Sequence, residues 1–228
     1  MHIPDGFLSD GVAGAAWVPT VAIVAVSLRR ANDSLDERRV PLLGVTAAFI
    51  FAVQMLNFPV AGGTSGHLLG AALAAILLGP WLACLVMTVV LAAQAFVFAD
   101  GGVTALGANV LNMGLIGALA VGFGMVLARR ILPKTPSALL AVAAAGSWLA
   151  VMLGAAATSV ELALSDTVPL STVLPAMLGV HALIGVGEAV VTVAAVAAVL
   201  ASRPDLIWAR EVSSYDFADQ RGLEPSGV

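Results

Sequence analysis

An all-α, polytopic integral membrane bundle of about seven helices is the fold class this sequence predicts. Three observations carry that expectation. Hydrophobic residues make up 60% of the 228-residue chain and charged residues only 11%, against about 45–50% and about 25% in soluble domains. The apolar residues fall in repeated long runs rich in Ala, Gly, Val and Leu. Such runs satisfy their own backbone as helices, and the short alternating segments of a membrane barrel are absent. The Lys and Arg residues are confined to a few of the connections between runs and to the tail after the last one, which is the sorting that orients membrane helices.

The first run covers residues 11–28. Asp5 and Asp10 precede it, no Lys or Arg does, and Arg29-Arg30 follow. This order reverses that of a secretory signal and fits a first helix whose N-terminus lies outside. A polar loop over 29–39 leads to a second run at 41–58 and a glycine-rich connection at 59–67. A short helix over 68–79 stops at Gly79-Pro80, a turn signal, and is too short to span alone. Further runs cover 81–98, 106–128, 137–164 and 172–201, separated by Asp100-Gly101-Gly102, by Arg129-Arg130 with Lys134, and by Asp166 with Pro169. Residues 1–203 are thus expected to form one membrane-embedded domain and 204–228 a polar cytoplasmic tail. Trp208 is expected either at the membrane interface or in loosely ordered chain.

With the N-terminus outside and the short helix counted as crossing, every basic residue falls inside: Arg29, Arg30, Arg38, Arg39, Arg129, Arg130, Lys134, Arg203, Arg210 and Arg221. If the short helix did not cross, Arg129 and Arg130 would lie outside. The outer connections carry Asp5, Asp10, Asp100 and Asp166, a mildly negative mouth that favours cations. Small-residue faces at 70–75 and 141–146 suit close helix packing or a partner's helix. The single Cys84 lies inside an apolar run and reads as a buried small hydrophobe. No basic stripe exists to bind nucleic acid.

The chemistry concentrates at the N-terminus, Met1-His2-Ile3-Pro4-Asp5-Gly6-Phe7-Leu8. A histidine at position two offers three nitrogens in sequence: the Met1 amine, the His2 amide and one His2 imidazole nitrogen. On one metal they close two fused chelate rings, provided the metal is Lewis-acidic enough to displace the amide proton. A further imidazole completes four nitrogens in a plane, a set that suits Ni(II) or Cu(II), or low-spin Co(II), better than tetrahedral Zn(II). His67, at the same outer surface, is the natural fourth ligand. Met1 is expected to be retained, because methionine is removed before small residues and His2 is large; any formyl group must be cleaved. The plainer alternatives are a solvated terminal histidine and a capping or hydrogen-bonding role for His67. The glycines Gly62, Gly63 and Gly66 suit a loop that lets the tip approach closely.

Several segments resemble the CbiM/NikM family, the substrate-binding (S) components of energy-coupling-factor transporters for cobalt and nickel. They are Met1–Phe7, Gly63-Thr64-Ser65-Gly66-His67-Leu68-Leu69-Gly70, Gly79-Pro80-Trp81, Phe98-Ala99-Asp100-Gly101-Gly102, Leu106-Gly107-Ala108-Asn109-Val110-Leu111-Asn112-Met113, and His181-Ala182-Leu183-Ile184-Gly185-Val186-Gly187-Glu188-Ala189. The resemblance extends to about Arg203. It implies a seven-helix fold with the N-terminal segment inserted into the bundle, in a prokaryotic plasma membrane. It implies Ni2+ or Co2+ as cargo, with no permanent cofactor, held by the Met1 amine, the His2 amide and imidazole and the His67 imidazole. The implied partners are a transmembrane coupling subunit of CbiQ/NikQ type, cytoplasmic ATPases of CbiO/NikO type and a small CbiN/NikN-type membrane protein. The Ile3-Pro4-Asp5-Gly6 version of the opening is closer to the nickel branch, although four nitrogens hold either metal.

Other polar residues lie within the predicted helices. Asn109 and Asn112, three apart, share a face, and Asn109, Thr64 and Ser65 are candidates to support His2 or His67. His181 and Glu188 lie two turns apart on the last helix, where an ionisable residue is a functional candidate by default. Glu188 is expected to orient His181 or a polar network under the site, or to make a structural hydrogen bond between helices; His181 itself is not assigned as a ligand. Glu161 reads as a solvated helix end, and Gln54 and Gln94 as bonds between helices. No G-x-x-x-x-G-K-[ST] motif is present, so the chain does not power transport itself. Two rivals from other classes are weighed. An intramembrane metal hydrolase built on His181 and Glu188 would need an H-E-x-x-H-like pair, which is absent. A passive channel would need polar residues lining the bundle, whereas the first, fourth and sixth helices are almost wholly apolar. Because the four nitrogens bind metal only when proton-free, binding is expected to vary between about pH 5 and 8 and release to be helped by protonation.

Overall fold

A computed structural model describes residues 1–32, 35, 39–61 and 63–213; the expectations for Arg38, Gly62 and Arg221 fall outside these residues. The fold is a helical bundle, as predicted. Among the described residues, five helices are long and apolar enough to cross a membrane. They are α1 (Asp10–Asn32), α4 (Pro80–Phe98), an interrupted helix beginning at Leu106, α7 (Pro136–Leu164) and α8 (Leu170–Ser202). Two shorter helices precede α4: α2 (Arg39–Gln54) and α3 (Ala71–Leu78).

The start of α7 shows how local sequence sets an element. Thr135 is extended and its Oγ1 accepts the Ala138 N–H at 3.2 Å, while Pro136 fills the first helical position, where its missing N–H loses nothing. From there α7 and α8 pack along their lengths. Gly185 leaves room for the Trp148 indole, 2.8 Å from where a Cβ would stand, and Trp148 donates to the Ala182 carbonyl at 3.1 Å.

Three features depart from the sequence reading. The second run ends four residues early, at Gln54, and the chain turns into a two-residue antiparallel ladder, β1 (Phe58–Pro59) against β2 (Ser65–Gly66), with Phe58 opposite Gly66 and Pro59 opposite Ser65. The fifth run is broken: α5 (Leu106–Asn109) passes into a π-helical turn, Val110–Leu115, before α6 (Ile116–Ile131). Such turns are rare and cluster at functional sites. Beyond α8, a 3₁₀ turn (Pro204–Leu206) leads to α9 (Trp208–Ser213). Ile207 and Ala209 are fully buried, and the Trp208 indole covers Gly79, whose added Cβ would lie 2.9 Å from Nε1. These residues pack on the bundle, because two apolar side chains in a polar stretch face its end.

All eight residues of α3 are buried, so this short helix is enclosed by its neighbours rather than by lipid. Its C-terminal end, with Gly79 and Pro80, lies beside Arg30, Arg39, Trp81 and Trp208. Asp5, Asp100 and the N-terminal tip gather at the other end of α4. Basic and acidic ends are therefore separated by the length of the bundle.

Candidate metal centre

The first three residues leave the surface altogether. Met1 and Ile3 are fully buried and His2 is 4% exposed. The backbone nitrogens of all three residues and the Ile3 carbonyl are hydrogen-bonded. The Met1 amine donates to the Ser65 carbonyl and to Ser65 Oγ at 3.0 Å, and the His2 N–H to the same Oγ at 3.2 Å. The Ile3 N–H donates to Asn109 Oδ1 at 2.8 Å, and the Ile3 carbonyl accepts from Asn109 Nδ2 at 3.1 Å and from the Gly102 N–H at 2.8 Å. One turn further out, Asp5 Oδ1 accepts the Thr104 N–H at 2.7 Å and its hydroxyl at 2.6 Å. The Met1 side chain reaches Gly154 on α7.

The two histidines predicted to meet do meet. Their rings stack with centroids 4.5 Å apart and planes inclined by 27°. Each ring has one nitrogen in a hydrogen bond and one without. His67 Nδ1 donates to the Leu68 carbonyl at 2.8 Å, leaving Nε2 buried without a partner. His2 Nε2 donates to Gln94 Oε1 at 3.1 Å, leaving Nδ1 without a hydrogen bond. Nδ1 is the nitrogen that can close a chelate ring with the His2 amide, so these partners leave in each ring the nitrogen a metal could use. Burial lowers the pKa of the Met1 amine from 8.0 to about 4 against the opposing pull of Asp100. Burial and then the N-terminal charge lower His2 from 6.5 to about 4, and the same two causes hold His67 well below its ordinary value. The pocket thus favours proton-free nitrogens. No group of three or more His, Cys, Asp or Glu side chains among the described residues is placed to hold a metal. The tip differs from such a cluster in kind, since two of its four nitrogens belong to the backbone and the N-terminus.

The other residues singled out in the sequence divide. Ser65 touches the two backbone nitrogens, and Asn109 clamps Ile3 rather than either histidine. Thr64 Oγ1 is buried and has no partner among the described residues, so it supports neither ring. Glu188 does not orient His181. Its two oxygens accept the Leu69 and Gly70 N–H groups at 2.8 and 2.7 Å, anchoring the bend at Gly70 (φ 78°) between His67 and α3. His181 Nδ1 donates back to the Met177 carbonyl at 2.7 Å, and its Nε2 is bare. The chain from the ladder's turn through β2 to Leu68 runs along α8: Gly63 lies on Met177, Gly66 on Ile184 and Leu68 near Gly187. His181 shares the buried face of α8 with Met177 and Glu188.

Three roles were not anticipated. Gln94 is not a bond between helices but the partner that orients His2. Gln54 Nε2 donates to the Leu69 carbonyl at 2.6 Å, so it braces the loop behind His67. Glu161 is half-buried and accepts from Asn112 Nδ2, which also reaches Thr158 Oγ1 at 3.3 Å. This ties the π-helical turn to α7. A cleft of about 750 Å³ opens onto His2 between Asp5, Asp100, Gly102, Thr64 and Ser65.

Residues 2–206 match the model of CbiM, the cobalt uptake substrate-specific transmembrane region. A Haloquadratum walsbyi protein with a provisional metal-transport name is 40% identical over 210 residues, which are 91% of this chain and 94% of that protein. The fused nickel transport protein NikMN of Rhodobacter capsulatus is 35% identical over 221 residues, 91% of this chain and 64% of its own length. A crystal structure of a truncated transition metal transporter superposes with a TM-score of 0.81 at 33% identity, covering 88% of this chain and 99% of that one.

Proposed function

Because the chain belongs to the CbiM family, and so is a multi-pass membrane component of cobalt or nickel transport rather than an enzyme, we propose that it captures its metal cargo at the buried N-terminal tip. The ligands are the Met1 amine, the His2 amide and Nδ1, and His67 Nε2. The observation that carries this reading is the pair of imidazole nitrogens without a hydrogen bond, each opposite an engaged one, on two rings stacked beside the N-terminal amine. Loading replaces the His2 amide proton, which Ser65 Oγ now accepts at 3.2 Å, by the ion, while the neutral amine binds through its lone pair and keeps its N–H groups for Ser65. In this reading the tip faces outward and the basic end faces the cytoplasm.

The chain acts as the S component of an energy-coupling-factor importer. A CbiQ/NikQ-type coupling subunit and CbiO/NikO-type ATPases supply the work. A CbiN/NikN-type partner is suggested by the fused composition of the NikMN relative. Cytoplasmic acidity cannot drive release while the tip stays dry, since its amine and His2 lose their protons above about pH 4. A rearrangement that admits water returns these groups toward their ordinary values, and protons then compete with the metal. Cells producing this chain with the coupling and ATPase subunits are expected to accumulate nickel or cobalt, and cells with His67→Ala are not; equal accumulation contradicts the reading.

The buried tip also sets a proton count. The amine and His2 are proton-free above about pH 4 and burial holds His67 well below its ordinary value, so only the amide proton is released on binding between pH 5 and 8. Affinity should then rise about tenfold per pH unit, and more steeply only as pH falls through about 4. Calorimetry in buffers of different ionisation enthalpy counts the protons. A count of two or more at pH 6 would mean an exposed, ordinary tip.

A further inference from the structure

The turn that ends α4 places two side chains on opposite edges of the His2 ring. The backbone leaves the helix through Ala99, at φ 53°, and the Gln94 carbonyl accepts the N–H groups of both Ala99 and Asp100, the latter at 3.0 Å. Gln94 Oε1 then meets His2 Nε2, while Asp100 Oδ1 stands 3.3 Å from His2 Nδ1. With the ring proton on Nε2, Nδ1 is a lone pair facing a carboxylate, and two acceptors face each other across a buried gap. His2 is 4% exposed, yet the Asp100 side chain is 20% exposed and lines the floor of the open cleft. Asp100 is held in place from its other oxygen, which accepts from Asn57 Nδ2 at 3.2 Å.

We propose that Asp100 Oδ1 and His2 Nδ1 form a docking site where a hydrated divalent cation first meets the protein, before the four-nitrogen set closes on it. The spacing fits: two ligands about 2.1 Å from one ion and subtending 90–109° lie roughly 3.0–3.4 Å apart. The chemistry fits as well. A carboxylate is a hard ligand that exchanges with the ion's water, and the imidazole is shared with the final site. The ion is passed inward when the Met1 amine, the His2 amide and His67 replace Asp100 and the remaining waters. The other carboxylate that lines the cleft, Asp5, is engaged by the Thr104 N–H and hydroxyl, so Asp100 is the carboxylate in reach of a ligand nitrogen. This inference rests on the proposed ligand set and adds to it a fourth residue that touches the metal only in transit.

Transit has a kinetic signature. A group that binds only on the way in speeds loading and unloading alike and leaves the equilibrium nearly unchanged. Stopped-flow mixing of the purified full-length chain with Ni(II), and chase with a chelator, should show Asp100→Asn lowering both association and dissociation rates by about tenfold or more. Kd should stay within about threefold of wild type, with the same final absorption spectrum. Asp100→Glu should restore most of the rate. The ratio should persist in about 1 M salt, where the Debye length is about 3 Å and steering from a distance is screened. Unchanged association, an effect that vanishes in high salt, or a raised Kd with unchanged dissociation would each overturn the proposal. A wild type that takes up no nickel would instead contradict the ligand set beneath it.

Discussion

A protein carrying one additional residue ahead of Met1 is expected to lose at least about 100-fold in nickel affinity, more than the usual effect of disturbing a residue outside the ligand set. Two effects combine. Extension turns the primary amine into an amide, which binds a metal only after giving up a further proton. It also needs space where there is none, since Met1 is fully buried and its nitrogen is already bonded to the Ser65 carbonyl and hydroxyl. The Met1 side chain is fixed too, with Sδ and Cε 3.4 Å from where a Cβ on Gly154 would stand. The extended protein should still fold, because the contacts among α1 to α9 do not involve the tip. Metal titration of the two proteins checks this, with melting temperature as the control. Equal affinities would remove the amine from the ligand set.

Gly102→Ala is expected to have nearly as large an effect while changing no ligand. A Cβ at residue 102 would lie 2.4 Å from the Asp5 nitrogen, 2.6 Å from Asp5 Oδ1 and 2.7 Å from the Pro4 carbonyl carbon. Two of these are backbone atoms, so no rotamer change relieves the clash and the tip must back out. With it goes the Gly102 N–H bond to the Ile3 carbonyl, and the buried Ile3 and Asn109 groups lose their match, at about 1–3 kcal/mol for each one left unpaired. Affinity should fall by roughly 10- to 100-fold, in the range seen when ligands lose their support. Gly11→Ala, where an added Cβ meets nothing within 4 Å, serves as the control and should bind as wild type does. Wild-type affinity in Gly102→Ala would mean that the tip does not sit as the structure has it.

The proposed ligand set could be read from the sequence because its core is local. An amine, an amide and an imidazole in two consecutive residues form a chelate whatever the fold, and only His67 had to be found elsewhere. Sorting of charges brought it to the same end of the bundle. The support of these ligands was not legible, because it depends on which turn of a distant helix faces the tip. Gln94 is 92 residues from His2 in sequence, and within an apolar run it reads as any other polar contact. Glu188 and His181 suggested a pair by their spacing along one face, yet each found a nearer backbone partner. Glu161 looked like a helix end because its partner, Asn112, is turned toward it by the π-helical turn. Neither that turn nor a two-residue ladder leaves a periodic trace.

The fold followed the same division. Long apolar runs mark their helices without ambiguity, while ends depend on particular residues. Residues 55–58 are apolar enough to extend α2, but the chain leaves the helix to pair with Ser65 and Gly66. That pairing sets the Ser65 oxygens against the N-terminal nitrogens. The mixed composition of 204–213 hid the two side chains, Ile207 and Ala209, that bring α9 back onto the bundle.

X-ray absorption of the nickel-loaded protein tests the central claim most directly. Four nitrogen ligands in a square plane, with two of them imidazoles, are the expected result. An octahedral ion with mainly oxygen ligands, or a sphere unchanged in His2→Ala, would contradict it.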